Sequence, residues 1–194
     1  GAALATGFAA ALRDGFSWAF ALDGDGQHDP ADIPAFLARA RHSQAAMIIG
    51  NRMANPAAMP FLRRNVNRWM SPHLARYCGI ELPDSQCGYR LLDLHAWTRL
   101  RFAARHFEIE SELIVRYVHA GYAIDFIPVQ TRYGAEQSKI RPLRDTIRWF
   151  RWWHIIRTEL ARATAEPSRD AHSRPVAASI RPTAPAAHAP DAIA

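Results

Sequence analysis

Cysteine is scarce in this chain, with Cys78 and Cys87 its two representatives. Two isolated thiols build no disulfide framework, and without paired Cys-x-x-Cys spacing they make no zinc site; a reducing, cytoplasmic setting is expected. Long apolar runs are missing as well. No stretch approaches the roughly 18 uninterrupted apolar residues of a membrane-spanning helix. No basic segment followed by an apolar one marks a secretory signal. There is no initiator Met, and Gly1 opens directly onto a helical pattern, which reads as a fragment or a processed chain. No internal repeat is present. Large apolar residues nearly vanish from Thr164 to Ala194, where five of the thirteen prolines sit, so 164-194 is expected to be a disordered tail.

What remains is a chain of 194 residues and net charge +6, enough for one ordinary domain with a sizeable core. A basic balance of this size points to nucleic acid, anionic lipid or phosphorylated substrates without choosing among them. The Ala- and Leu-rich stretch Ala2 to Arg13 reads as a helix stopped by Gly15. Phe16 to Leu22 reads as a buried strand of a parallel sheet. Asp29-Pro30 opens a second helix, and Ala45 to Ile49 is a second short apolar strand. This alternation predicts an α/β layered domain. Phe61 to Tyr77 reads as helix, with Ser71-Pro72 expected to kink or split it. Tyr89 to Leu92 reads as a strand and Asp93 as the cap of a helix through Leu100. Glu110 to Ala120 is a helix, Tyr122 to Tyr133 a strand in which Pro128 argues for an edge or a bend, and Leu143 to Arg162 a long helix rich in Trp and Arg. The expected organisation is a domain over 1-140, incomplete at its N-terminus, an aromatic and basic helix over 141-163, and the tail.

The chemistry concentrates where the first strand ends, in Asp23-Gly24-Asp25-Gly26-Gln27-His28-Asp29-Pro30. Ligands of open parallel sheets bind beyond the C-terminal ends of the strands. Two carboxylates and an amide oxygen offer hard ligands to Mg²⁺ or Mn²⁺, and such an ion keeps positions open for diphosphate oxygens. A plain Asp/Gly turn is the bland reading. An EF-hand is excluded, because His28 stands where the loop needs Gly and Pro34 where it needs Glu. A phosphatase with Asp23 as nucleophile and Asp25 as general acid is a further alternative.

This segment resembles the D-x-D-x-Q-H-x-P element of family 2 glycosyltransferases, and especially the branch of dolichol- and polyprenyl-phosphate mannosyltransferases. Gly50-Asn51-Arg52 is similar to that branch's G-S-R, Asp84 to Arg90 (DSQCGYR) to its D-x-Q-C-G-[FY]-R, and Phe107 to Glu110 to its F-E-x-E. Tyr133-Gly134 with Ser138-Lys139-Ile140 is similar to its Y-G-x-x-x-S-K-I. The resemblance implies a GT-A type Rossmann-like sheet with helices on both faces, whose first strands, with a P-x-x-N-E element, would precede Gly1. It implies inverting transfer of a sugar from a nucleotide diphosphate to a polyprenyl phosphate at a membrane surface. Asp25, Gln27 and Asp23 are then the expected metal ligands, with Asp23 alternatively on the ribose. Arg52, Arg132, Ser138 and Lys139 are expected on the donor phosphates. Asp84 is expected to act as a base or to hold the acceptor pocket, and Glu110 as a base or a helix cap. The expected cofactor is Mg²⁺ or Mn²⁺. The expected partners are a nucleotide-sugar, a lipid or glycan acceptor and the cytoplasmic face of the inner membrane, with no nucleic acid. In the Trp- and Arg-rich helix, Trp is expected at the lipid boundary and Arg on phosphates; packing on the domain is the alternative. A non-catalytic domain that binds membrane or polyanion is the competing function. Trp69 and Trp97 are expected in the core and His28 in the turn.

Overall fold

The structure, a computed structural model, describes residues 1–104, 106–133 and 142–165, with side chains of the last segment from 146 to 162. Ser138, Lys139 and the expected tail beyond 165 lie outside the described residues. Six helices flank a four-stranded sheet within them. The helices are α1 (Ala2–Arg13), α2 (Ile33–His42), α3 (Phe61–Cys78), α4 (Leu94–Thr98), α5 (Ile109–His119) and α6 (Pro142–Ala165). The strands are β1 (Trp18–Ala21), β2 (Ala45–Asn51), β3 (Arg90–Asp93) and β4 (Ala123–Pro128), in the spatial order β1-β3-β2-β4.

The expectation that Phe16 to Leu22 forms a buried strand of a parallel sheet is corrected. β3 runs antiparallel to both β1 and β2, while β2 and β4 are parallel. Opposite in sense to both neighbours, β3 leaves β1 and β2 parallel to each other but separated. β1 therefore sits at one edge of the described sheet and is only partly buried. β2 has residues 45 to 50 all buried, as a strand covered on both faces must. β4 takes the other edge, which accommodates Pro128 at its end because no further strand among the described residues asks for the missing N–H.

The strand directions have one consequence for the site. β1, β2 and β4 all finish at the same end of the sheet, where β3 begins. Ala21, Arg90 and Ile49 face one another in register there, and Phe126 pairs with Ile49. Every loop that leaves this end can reach the same space.

Pro72 does not split α3, which runs 18 residues to a left-handed Gly79 at φ 68°. Asp93 Oδ1 accepts from the His95 and Ala96 amides and caps α4 as expected. Trp97 packs against the core, stacked on Phe102 and edge-on to Phe8. Trp69 does not: it is 43% exposed on the outer side of α3.

Candidate functional site

The acidic turn is held by its own side chains. Gly26 at φ 71° supplies the left-handed step that a side chain would strain. Asp25 Oδ1 accepts from the Gln27 amide across that step. The turn is also tied to the segment after β4, through the Arg132 amide on Gln27 O at 3.0 Å and a bridge between His28 and Thr131. Tyr89 Oη donates to the carbonyl of Asp29. Asp29 caps the following 3-10 turn with one oxygen and pairs with Arg132 Nη2 at 2.9 Å with the other.

Asp23 and Asp25 are exposed at the end of β1. Asp23 lies against Gly88, where an added Cβ would come 2.9 Å from Oδ2. His28 Nε2 is 3.8 Å from the same oxygen. That contact holds the Asp23 carboxyl below its ordinary value, against the opposing effect of burial and with the help of Arg52 and Arg63. His28 is more than a turn residue. It is 6% exposed and packed on the Tyr89 ring at 4.8 Å, its Nδ1 unpartnered among the described residues.

Behind this turn lies a buried network. Arg52, which follows β2, binds Asp84 twice through its side chain, Nε to Oδ2 at 2.8 Å and Nη2 to Oδ1 at 2.9 Å, and again through its amide. Asn67 Nδ2 and the Gln86 amide also donate to Asp84, and Ser71 joins Asn67 to Ser85. Burial alone would raise the Asp84 pKa, but the Arg52 hydrogen bonds and charge and the Asn67 bond bring it below the ordinary value. A fully buried carboxylate so saturated is a weak proton acceptor. Of the two roles expected for Asp84, the geometry suits holding over base catalysis. Arg90 is buried beneath, donating to the carbonyls of Cys87, Ser85 and Glu110. Glu110 caps nothing: the N-cap of α5 is Glu108, which makes no side-chain capping bond. Desolvation pushes the Glu110 carboxyl up to about 7, and the charges it feels are Arg90, Asp23, Arg52 and Asp84.

Arg63 is the site residue that sequence reasoning missed. It projects from α3 and donates Nη1 to Gln27 Oε1 at 3.0 Å, with its guanidinium carbon 5.9 Å from the Tyr133 ring centre. The signal was weak, because an arginine in a basic helix looks like a solvated one. Its bond engages the oxygen that a metal would need from Gln27, and Gln27 is itself buried. The accessible carboxylates of Asp23 and Asp25 suit a hard divalent cation. Among the described residues no three His, Cys, Asp or Glu side chains converge. Cys87 is fully buried, its thiol pushed up to about 12 by desolvation, which suits packing and not nucleophilic attack. An apolar cavity of about 500 Å³ between α1, α4 and α5, lined by Leu4, Phe8, Trp97, Phe102, Ile109 and Leu113, offers the acidic turn nothing polar.

Acidic residues at the end of one strand, arginines following two others and a layered sheet define an α/β protein with its charged side chains gathered where the strands end. The chain belongs to glycosyl transferase family 2, whose model matches residues 1–97, half of the 194. The mixed sheet flanked by helices is of the α/β, GT-A-like kind. The phosphatase alternative falls with that membership. The chain is similar to a UDP-N-acetylglucosamine–dolichyl-phosphate N-acetylglucosaminyltransferase of Methanococcus voltae, 28% identical over 138 residues, or 69% of this chain and 55% of that protein. It is equally similar, at 28% over 138 residues, to an uncharacterized protein of Methanocaldococcus jannaschii, of which 57% is covered. The chain thus spans little more than half the length of these relatives.

Proposed function

We propose that this chain carries the catalytic face of a glycosyltransferase that moves a sugar from a nucleotide diphosphate to a lipid phosphate, of polyprenyl type, with inversion at the anomeric carbon. The proposal includes Mg²⁺ or Mn²⁺ on Asp23 and Asp25 and action at the cytoplasmic face of a membrane. The observation that carries it is the convergence of the Asp23-Gly24-Asp25 turn with Arg63, Arg132 and the Arg52–Asp84 pair at one end of the sheet. The name of the archaeal relative supports the lipid-phosphate acceptor.

In this reading an acceptor phosphate oxygen attacks the anomeric carbon as the bond to the diphosphate breaks, and the electron pair leaves on the diphosphate. The bound cation supplies charge stabilisation for that leaving group. Arg63 and Arg132, tethered on either side of the turn, add positive charge to the same space. Lys139 and Ser138 are proposed donor-phosphate contacts. A phosphate acceptor arrives already anionic, so no general base is required, which agrees with Asp84 being spent on Arg52. Arg52, fixed by that pair, presents a rigid cation beside Asp23.

Calorimetric titration of the chain with a panel of nucleoside diphosphates tests the reading. Binding that requires Mn²⁺ and is abolished in Asp25→Ala is the expected result. No binding of any of them, or binding indifferent to both Mn²⁺ and Asp25→Ala, overturns it.

A further inference from the structure

We propose that α3 and α6 together form a docking face for an anionic lipid bilayer, with exposed apolar side chains at the headgroup boundary and the surrounding arginines on lipid phosphates. This deepens the membrane-surface part of the proposed function and rests on that reading.

α6 is apolar on two opposite faces. Trp149, Trp152, Ile156 and Leu160 are buried against the domain, and Trp149 Nε1 donates to Ser111 Oγ. The tryptophans expected at the lipid boundary are thus turned inward. The face pointing away carries Ile147, Phe150 and Ile155, which line a shallow open groove with Arg151 and His154. A helix that only covers its domain needs no second apolar face.

α3 extends that surface. Leu62, Val66 and Trp69 recur at helical spacing along its outer side, and Phe61 precedes them at 70% exposure. Trp69 lies 5.5 Å from the Phe150 ring and 5.8 Å from Trp149, so the two stripes meet edge to edge. Scattered exposed apolar residues are ordinary, but a joined patch across two helices marks an interaction surface.

The charge selects the occupant. By sequence, α3 and α6 hold nine arginines against Asp145 and Glu159, an excess of seven. The rest of the chain holds fifteen basic and sixteen acidic residues, so the whole net charge of +6 resides on these two helices. A second copy would bring the same positive charge to the contact and be repelled. A nucleic acid would satisfy the arginines but leave Phe61, Leu62, Ile147 and Ile155 in contact with nothing apolar. An anionic bilayer satisfies both, through phosphates for arginine and acyl boundary for the apolar stripe. The inner side of α3 carries Arg63 to the acidic turn, so docking would bring a lipid-borne acceptor to the mouth of the site.

Co-sedimentation of the full chain with phosphatidylglycerol/phosphatidylcholine vesicles, and with phosphatidylcholine alone, tests this. Binding to the anionic vesicles is expected to fall as salt rises. It is expected to weaken about tenfold in the double variant Leu62→Ser/Ile155→Ser, since each loses an apolar side chain from the boundary. Arg151→Glu is expected to weaken it as well, and circular dichroism should be unchanged in both variants. Wild-type vesicle binding in Arg151→Glu and in the folded double variant overturns the proposal. So do loss of self-association in place of vesicle binding, and preference for a single-stranded oligonucleotide over vesicles. Nucleoside diphosphate titration of the wild-type chain, beside its vesicle co-sedimentation, separates the two readings. Nucleotide binding without vesicle binding sinks the docking face alone, while vesicle binding without nucleotide binding sinks the transferase reading.

Discussion

Glu110 is a carboxylate whose behaviour departs far from its ordinary chemistry. Its carboxyl stands at about 7 in the folded chain against 4.5 unperturbed, because desolvation outweighs the help of Arg90. Between those values the folded chain keeps a proton that the unfolded chain has released. Stability therefore falls as pH rises through this window and levels off above it. Glu110→Gln removes the dependence. Its thermal midpoint should exceed that of the wild type at pH 8 and differ little at pH 4.5; a gap of the same size at both values would refute the assignment. The residue-level chemistry was only partly legible in the sequence. Asp23 and Asp25 declare themselves because a motif and the end of a strand coincide. Glu110 was marked by a motif as a base or a cap, but its raised pKa was not legible, since that shift comes from desolvation among groups far apart in the chain. Arg63 was silent, being 36 positions from Gln27 and set among other arginines.

At the scale of the element, α3 joins two environments. Arg63, Asn67 and Ser71 recur four residues apart along its inner side, reaching Gln27, Asp84 and Ser85 in turn, while Leu62, Val66 and Trp69 face outward. This inverts the usual amphipathic rule over part of the helix, which explains why hydropathy gave its existence but not its orientation. Buried Asn67 and Ser71 are affordable only because each is hydrogen-bonded. Asn67→Ala leaves Asp84 short of a donor and takes from Ser71 its Asn67 acceptor, and should destabilise the chain by about 1–3 kcal/mol in urea unfolding. Ser71→Ala should give a loss of the same order. The double variant should lose less than the sum of the two, as residues of one network do; simple additivity would show that they act separately. The strands were more legible. β2 read directly as an apolar run, but the antiparallel insertion of β3 between β1 and β2 is a matter of long-range pairing that no local pattern encodes.

Across the whole molecule, α6 is tied to the layered body by packing and by one chain of charges. Glu112 is fully buried in α5 and accepts from the Ala103 and Ala104 amides, which anchors the loop before that helix. Arg116 donates Nε to Glu112 at 2.9 Å and binds Glu159 of α6 through two nitrogens at 2.9 and 3.0 Å. The two ion pairs look alike in distance and differ in environment. Glu112 has no access to water, whereas the Glu159 side chain is 49% exposed. Removing a partner from a buried charge is expensive, whereas a half-exposed pair is screened by solvent. Arg116→Ala should therefore cost about 3–5 kcal/mol, the uncompensated Glu112 accounting for most of it. Glu159→Gln should cost no more than about 1 kcal/mol. Urea unfolding of both variants checks the ratio. Equal losses would mean that the link to α6, and not the buried carboxylate, carries the energy, and that α6 is a structural member of the domain more than the support of an outward face.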